Sequence, residues 1–96
     1  MNMEKSLQIL SKLCQYHKGI GGVSICYNDS TENYYVSAPF YIKKGIGLTG
    51  IVEHRKTIRE AVETFMYQLS GKLLVFNPDS EHRKEVFVYS LESLSC

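Results

Sequence analysis

Two segments of the chain repeat apolar residues at helical spacing. Over residues 3–18, apolar side chains recur every three or four positions, which predicts an amphipathic α-helix followed by Gly19. The second helix is predicted to begin at Thr57, because Thr57 and Glu60 form a capping box. Ser70-Gly71 is expected to end it. Its apolar stripe consists of Ile58, Ala61, Val62, Phe65 and Leu69.

Five other segments have the patterns of strands. Alternating residues predict a strand over 23–28 and a second over 34–38, which Pro39 is expected to close. Further strands are expected over 46–52, over the wholly apolar and therefore central 73–76, and over 86–89. The order α-β-β-β-α-β-β predicts an α+β fold. We expect a mostly antiparallel sheet of about five strands, with two helices on one face.

Length and charge limit the class of protein. The 96 residues are expected to form a single domain, 1–96. Eleven Lys and Arg against ten Asp and Glu argue against nucleic-acid recognition by bulk charge. The first residues lack a signal-peptide pattern, and no segment has the length of a membrane span. The three cysteines, Cys14, Cys26 and Cys96, are expected to be free thiols. Together with the missing signal peptide and membrane span, they predict a cytoplasmic protein without a membrane partner.

The stretch from Gly45 to Gly50 is a literal G-x-G-x-x-G. In a dinucleotide site this loop must open a helix directly, because the phosphate lies at the helix N-terminus. Here the helix starts at Thr57, and the β-branched Ile51 and Val52 intervene. We therefore interpret the glycines as strand and turn, where small residues let a helix or a partner backbone pack closely. No nucleotide cofactor is expected.

No residue set matches a catalytic or metal centre. Cys14 and His17 have C-x-x-H spacing, but no second Cys/His pair follows, and a structural zinc site needs four ligands. Cys26 and a histidine would make a nucleophilic pair only if the fold brought them together. The protein is accordingly expected not to be an enzyme and to use neither a cofactor nor a metal.

Binding to RNA or DNA is the alternative function. The tetrapeptide Glu-His-Arg-Lys occurs twice, at 53–56 and 81–84. If the basic loops converged near tyrosines, they would form a phosphate-and-stacking surface. Interleaved glutamates are instead typical of a solvated mixed-charge surface. The candidate nucleic-acid-binding residues are Lys43, Lys44, His54, Arg55, Lys56, Arg59, His82, Arg83 and Lys84.

Binding to a protein is the leading prediction. Interfaces favour tyrosine and avoid dense charge at their centre. Tyr34 and Tyr35 point to opposite faces of one strand, so one of them is expected outside the core. Phe40 and Tyr41 follow Pro39 and are expected in an exposed aromatic loop. These four aromatic residues are the predicted partner-binding set, and buried tyrosines with bonded hydroxyls are the alternative. A homodimer through an edge strand stays open.

The segment Tyr34-Tyr35-Val36-Ser37-Ala38-Pro39, followed by Lys56-Thr57-Ile58-Arg59-Glu60-Ala61-Val62, resembles the core of HicB antitoxins. In those proteins a strand that ends in Pro leads to a third strand and to a helix that opens T-x-x-E-A. The arrangement is also similar to small phage accessory proteins, including anti-CRISPR inhibitors. The resemblance covers about residues 23–76. It implies a sheet-plus-helix fold and an inhibitor of a host enzyme or defence complex. The first helix, the glycine stretch and the last strand depart from HicB, so no functional residue is carried over.

Overall fold

The structure, a computed structural model, describes residues 2–19 and 22–90. Its strands form one five-stranded sheet in which every pairing is antiparallel. The predicted α+β fold and its element order are confirmed. The elements are α1 (Met3–Cys14), β1 (Ser24–Asn28), β2 (Asn33–Lys44), β3 (Gly47–Arg55), α2 (Ile58–Leu69), β4 (Lys72–Phe76) and β5 (Lys84–Val88).

Side-chain caps fix the start of both helices. The Asn2 side chain accepts a hydrogen bond from the Lys5 amide at 2.7 Å. The Thr57 hydroxyl accepts one from the Glu60 amide at 3.1 Å, so the predicted start of α2 is confirmed. After Leu69 the chain leaves the helix as predicted, with Gly71 at a φ of 73°.

Helix α1 ends at Cys14, four residues before the predicted end. The cause is distant in sequence. The side chain of Asn77 donates to the Tyr16 carbonyl at 2.8 Å and accepts from the Lys18 amide at 3.0 Å. These bonds hold the chain after α1 in a non-helical path. The sequence pattern around Gly19 contains no sign of them.

Strand β2 is the centre of the sheet. Residues Tyr34–Ser37 have partners in both β1 and β3, and Tyr41 and Ile42 have partners in both β3 and β4. Since a strand has two edges, β3 occupies one edge of β2, while β1 and β4 share the other. Strand β5 pairs with β4 on its far side, so β4 is internal as predicted.

Pro39 does not end β2, contrary to the prediction. Ser37 pairs with Val52 and Tyr41 with Gly50, so the residues between Ser37 and Tyr41 oppose one residue of β3. This bulge accommodates Pro39, which has no N–H for a regular ladder. Phe40 consequently lies inside a strand and is 1% exposed. The prediction that it belongs to an exposed aromatic loop is wrong.

Both helices lie against one face of the sheet. Along β2, Val36, Phe40 and Ile42 point to this helix-bearing face and join the core. The alternate residues point to the other side, which we call the open face, because no described helix covers it. The open face comprises Ser24, Cys26, Tyr35, Ser37, Tyr41, Lys43, Leu48, Gly50, Val52, His54, Leu73, Val75, Glu85 and Phe87. Of these residues Val75, between Tyr41 and Glu85, is fully buried.

Candidate protein-binding face of the sheet

The glycine motif forms a hairpin, as interpreted from the sequence. Lys44 and Gly47 are register partners, and Gly45-Ile46 is the two-residue loop between them. Gly45 has a φ of 59°, which fits the first central residue of a type II′ turn. The rest of the motif belongs to β3. A Cβ at Gly50 would lie 4.0 Å from Cδ1 of Tyr41, so the tyrosine ring borders the glycine.

The four predicted aromatic residues do not form one surface. Tyr35 and Tyr41 lie on the open face. Tyr34 lies on the helix-bearing face at the end of the sheet, where its ring centroid is 5.0 Å from that of Tyr27. Phe40 is part of the core. Alternation with Val36 and Ile42 is the sequence signal that places Phe40 inside and Tyr41 outside.

The open face is rich in exposed apolar side chains. Val52 is 51% exposed and Phe87 47%, and Tyr41 and Leu48 are exposed as well. Tyr89 extends this surface, because its ring centroid is 4.7 Å from that of Phe87. Sequence reasoning missed all of these residues except Tyr41. For Phe87 and Tyr89 the available signal was the run Val86-Phe87-Val88-Tyr89, which is apolar at inward and outward positions alike.

Few free charges interrupt this apolar surface. Glu85 forms an ion pair with Arg83 at 2.9 Å. His54 packs against Tyr35, with 5.6 Å between their ring centroids. Lys43 lies at the hairpin end of β2. An uncharged centre with polar groups at the margin is the composition of protein interfaces.

Cys26, Tyr35 and His54 form a row across three adjacent strands. Tyr35 stands between the other two, so Cys26 and His54 do not make the nucleophilic pair considered above. Cys26 raises the pKa of the Tyr35 hydroxyl, mainly by a hydrogen bond and then by its charge, with a smaller contribution from burial. The three side chains therefore form cross-strand contacts on the open face.

Besides His54, three of the predicted nucleic-acid-binding residues are engaged within the fold. Arg55 forms an ion pair with Glu53 at 2.9 Å and donates to the His54 carbonyl. Arg83 pairs with Glu85 and donates to a backbone carbonyl. The Lys84 amine lies 5.4 Å from the centre of the Tyr16 ring. These contacts give the three side chains structural roles.

The basic segments also lie apart. Lys44 and Arg55 are near opposite ends of the β2–β3 hairpin, roughly 27 Å apart at about 3.4 Å per residue. Strand β5 lies on the other side of β2, beyond β4, which separates the segment 81–84 from the segment 53–56. The convergence on which a combined phosphate surface depended is not present.

The remaining basic residues are distributed over both sides of the sheet. Lys44 lines a groove of about 570 Å³ on the helix-bearing face, together with Lys72, Tyr67 and Gln68. Lys56 and Arg59 are exposed around the start of α2, and His82 is exposed beside Glu81. Among the residues that the structure describes, no cluster of His, Cys, Asp and Glu has the grouping required for a metal ion.

Cys14 and Cys26 are free thiols, and Cys96 lies outside the described residues. Within the described ranges, no helix has the length and apolar character needed to span a membrane. Comparison of the chain with protein-family models, curated proteins and solved structures finds no match.

Proposed function

We propose that this chain is a non-catalytic binding protein and that its open face docks on a partner protein. The observation that carries this proposal is the exposed apolar group formed by Tyr41, Leu48, Val52 and Phe87. Contiguous apolar surface of this kind marks interaction sites, because burying it removes apolar area from water. Tyr41 and Phe87 are the expected anchors, since large aromatic side chains contribute most to binding energy at interfaces.

Charge placement favours a protein partner over nucleic acid. A surface that tracks phosphates needs several unpaired cations beside its aromatic residues. On the open face, Lys43 is the sole lysine among the described residues, and the nearby Arg83 is paired with Glu85. Lys44 and Lys72 instead border the groove on the opposite side of the sheet. The partner surface is accordingly expected to be apolar and low in charge.

The first test compares three forms of the immobilised chain as bait in host extract treated with nucleases. The wild type should retain a specific protein, which is then purified and titrated in isolation. The double variant Tyr41→Glu/Phe87→Glu should bind that protein at least about 100-fold more weakly, since each anchor is expected to contribute about 1.4 kcal/mol or more. Tyr67→Glu is the matched control, because Tyr67 is an exposed tyrosine of α2 outside the open face.

The proposal fails if the open-face variant binds the purified partner as tightly as the wild type does. The nucleic-acid alternative is tested separately, with random RNA and DNA oligomers across a salt series. Charge reversal should be made at Lys43, Lys44, Lys56 and Arg59. Arg55 and Arg83 are unsuitable, because their ion pairs tie them to the fold. A salt-dependent affinity that these reversals abolish would favour the alternative.

The resemblance to HicB cores and phage accessory proteins extends the proposal to inhibition in the cytoplasm. On this interpretation the partner is a host enzyme or a component of a defence complex. The test is the partner's own activity, measured while the chain is added. Inhibition should follow occupancy of the open face and should be lost with Tyr41→Glu/Phe87→Glu. A bound partner that keeps full activity would contradict inhibition while leaving binding intact.

A further inference from the structure

The outer edge of β3 is the longest unpaired strand edge in the described part of the sheet. Strand β3 spans Gly47–Arg55, whereas β1 and β5, the other strands with a free edge, have five residues each. From Gly47 to Val52 this edge contains neither proline nor charge. Native edges usually carry such residues, because unpaired N–H and C=O groups recruit further strands. This edge lacks that protection.

The hairpin geometry identifies the backbone groups that point outward. The turn hydrogen bond joins Lys44 and Gly47, so Gly47 faces β2. Alternation then directs the backbone groups of Leu48, Gly50 and Val52 away from β2. No backbone partner for these groups occurs among the described residues. The next outward carbonyl, at His54, accepts a hydrogen bond from the Arg55 side chain, which ends the free edge.

We infer that this edge pairs with the same edge of a second copy of the chain, antiparallel and centred on Gly50. Each Gly50 then faces Gly50 of the other copy, and Leu48 faces Val52. In antiparallel pairs of this type the facing residues exchange both N–H···O bonds, which would satisfy the outward groups of Leu48, Gly50 and Val52. The dimer is a continuous sheet across a two-fold axis.

The side chains are complementary to themselves in this register. Leu48 and Val52 are both exposed on the open face. Pairing places Leu48 of each copy beside Val52 of the other copy. Ile46, fully exposed at the hairpin tip, reaches the level of His54 of the second copy. Glu53 faces Gly47, so no like charges oppose one another. A shift of one residue pair, centred on Ile51, would place Leu48 against His54 and lose the apolar match.

The central glycine fits this arrangement. A Cβ at Gly50 would lie 4.0 Å from Cδ1 of Tyr41 of the same chain, and no other described residue beyond its chain neighbours has an atom within 4 Å of that position. Glycine in a strand often marks close approach of another backbone. In this proposal the glycine motif, which forms a hairpin and not a phosphate loop, allows two backbones to approach closely at Gly50. The proposal needs no partner protein, although it shares Leu48 and Val52 with the face proposed above for docking. Its test uses the pure chain alone, so it can fail while the proposed docking function holds.

The test is sedimentation equilibrium of the pure chain in reducing buffer, which excludes dimers linked by Cys26 or Cys96. The wild type should be a reversible dimer. The double variants Leu48→Lys/Val52→Lys and Leu48→Glu/Val52→Glu should each raise the dimer dissociation constant at least tenfold, because like charges face one another. An equimolar mixture of the two should dimerise again, since every Lys then faces a Glu.

The mixture also tests folding, because a misfolded variant cannot be restored by its counterpart. Ile25→Lys/Tyr27→Lys is the matched control, with two exposed apolar residues replaced on the edge strand β1. It should dimerise like the wild type. A monomeric wild type at all accessible concentrations overturns the proposal, as does a dimer that the Lys variant leaves unchanged. A mixture that stays monomeric overturns the register centred on Gly50.

Discussion

The carboxylate of Glu53 lies 2.9 Å from the guanidinium of Arg55, two positions along the same strand. Glu53 is only 9% exposed, so its charge depends on this partner more than a surface carboxylate would. We expect Arg55→Ala to lower the free energy of unfolding by about 1–3 kcal/mol, because it leaves a nearly buried acceptor unpaired. Urea denaturation measures the change.

A second variant separates the ion pair from the packing of the arginine. Combining Arg55→Ala with Glu53→Met also removes the carboxylate that the first change leaves unpaired, and this should recover most of the lost stability. Equal stabilities of the single and double variants would show that the carboxylate tolerates the loss of its partner. A loss of stability in Arg55→Ala would also explain why Arg55 is unsuitable as a probe of nucleic-acid binding.

Asn77 joins the segment after α1 to the β4–β5 turn. Its side-chain amide donates to the carbonyls of Tyr16 and His82, and its oxygen accepts from the Lys18 amide. Asn77→Ala should lower the unfolding free energy by about 1–2 kcal/mol, since the part-buried Tyr16 carbonyl loses its donor and two exposed bonds are lost with it. Asn77→Gly loses the same bonds but tolerates the φ of 52°, so it should be less damaging than alanine.

The hairpin turn predicts a contrast between two adjacent glycines of the motif. Gly45 has a φ of 59°, so Gly45→Ala should cost about 1 kcal/mol of stability through backbone strain. At Gly47 a Cβ would lie 3.8 Å from the Lys44 carbonyl, an ordinary contact. Gly47→Ala is therefore expected to change stability by about 0.5 kcal/mol or less. Thermal unfolding of both variants checks this, and equal losses would contradict the turn assignment.

Burial raises the pKa of the Cys14 thiol above its ordinary value of 9.0, and a hydrogen bond with the Val23 backbone partly offsets it. The folded chain therefore keeps this proton to higher pH than the unfolded chain does. The contribution to stability is complete below about pH 9 and is lost as pH rises through the raised pKa. Unfolding measured across alkaline pH should show a steeper fall in the wild type than in Cys14→Ala. Parallel curves would contradict it.

The Tyr35 hydroxyl is expected to ionise above its ordinary pKa of 10.0, because Cys26 holds its proton by a hydrogen bond and by its own charge. Cys26→Ala should move the pKa of Tyr35 down toward that value. Near-ultraviolet titration, taken as the difference between each protein and its Tyr35→Phe form, isolates this residue among seven tyrosines. An unchanged midpoint would rule out the contact between Cys26 and Tyr35.

Local signals predicted the elements well. The capping box at Thr57 and the apolar stripe after it located α2, and the β-branched residues after Gly50 distinguished a strand from a phosphate loop. These signals are local because caps and periodicity act within a few residues. The ends of elements were predicted less well where distant groups decide them, as Asn77 does for the end of α1.

The candidate site was predicted only in part. Tyr41 was identified, but Phe40 was misplaced, because the prediction treated Pro39 as a strand end rather than as part of a bulge opposite β3. Phe87 was missed because its exposure depends on which face the helices cover. Arg55 and Arg83 were grouped among the cations of a phosphate surface, whereas each forms an ion pair with a glutamate two positions away, Arg55 within β3 and Arg83 just before β5. The spacing of two positions was visible in the sequence. It brings two side chains to the same side only where the backbone is extended, as in a strand.

The shared edge of β2 has a consequence for the order of folding. Strands β1, β2 and β3 follow one another along the chain, and β4 and β5 form a hairpin of their own. The junction between the two units has two register pairs, Tyr41–Val75 and Ile42–Leu74, more than thirty residues apart in sequence. Closing so long a loop is slower than pairing neighbours. During folding, amide protons within each unit should therefore gain protection from hydrogen exchange before those of the junction do. Helix α2 contacts β2, β3 and β4, so it holds the two units together once the junction has formed.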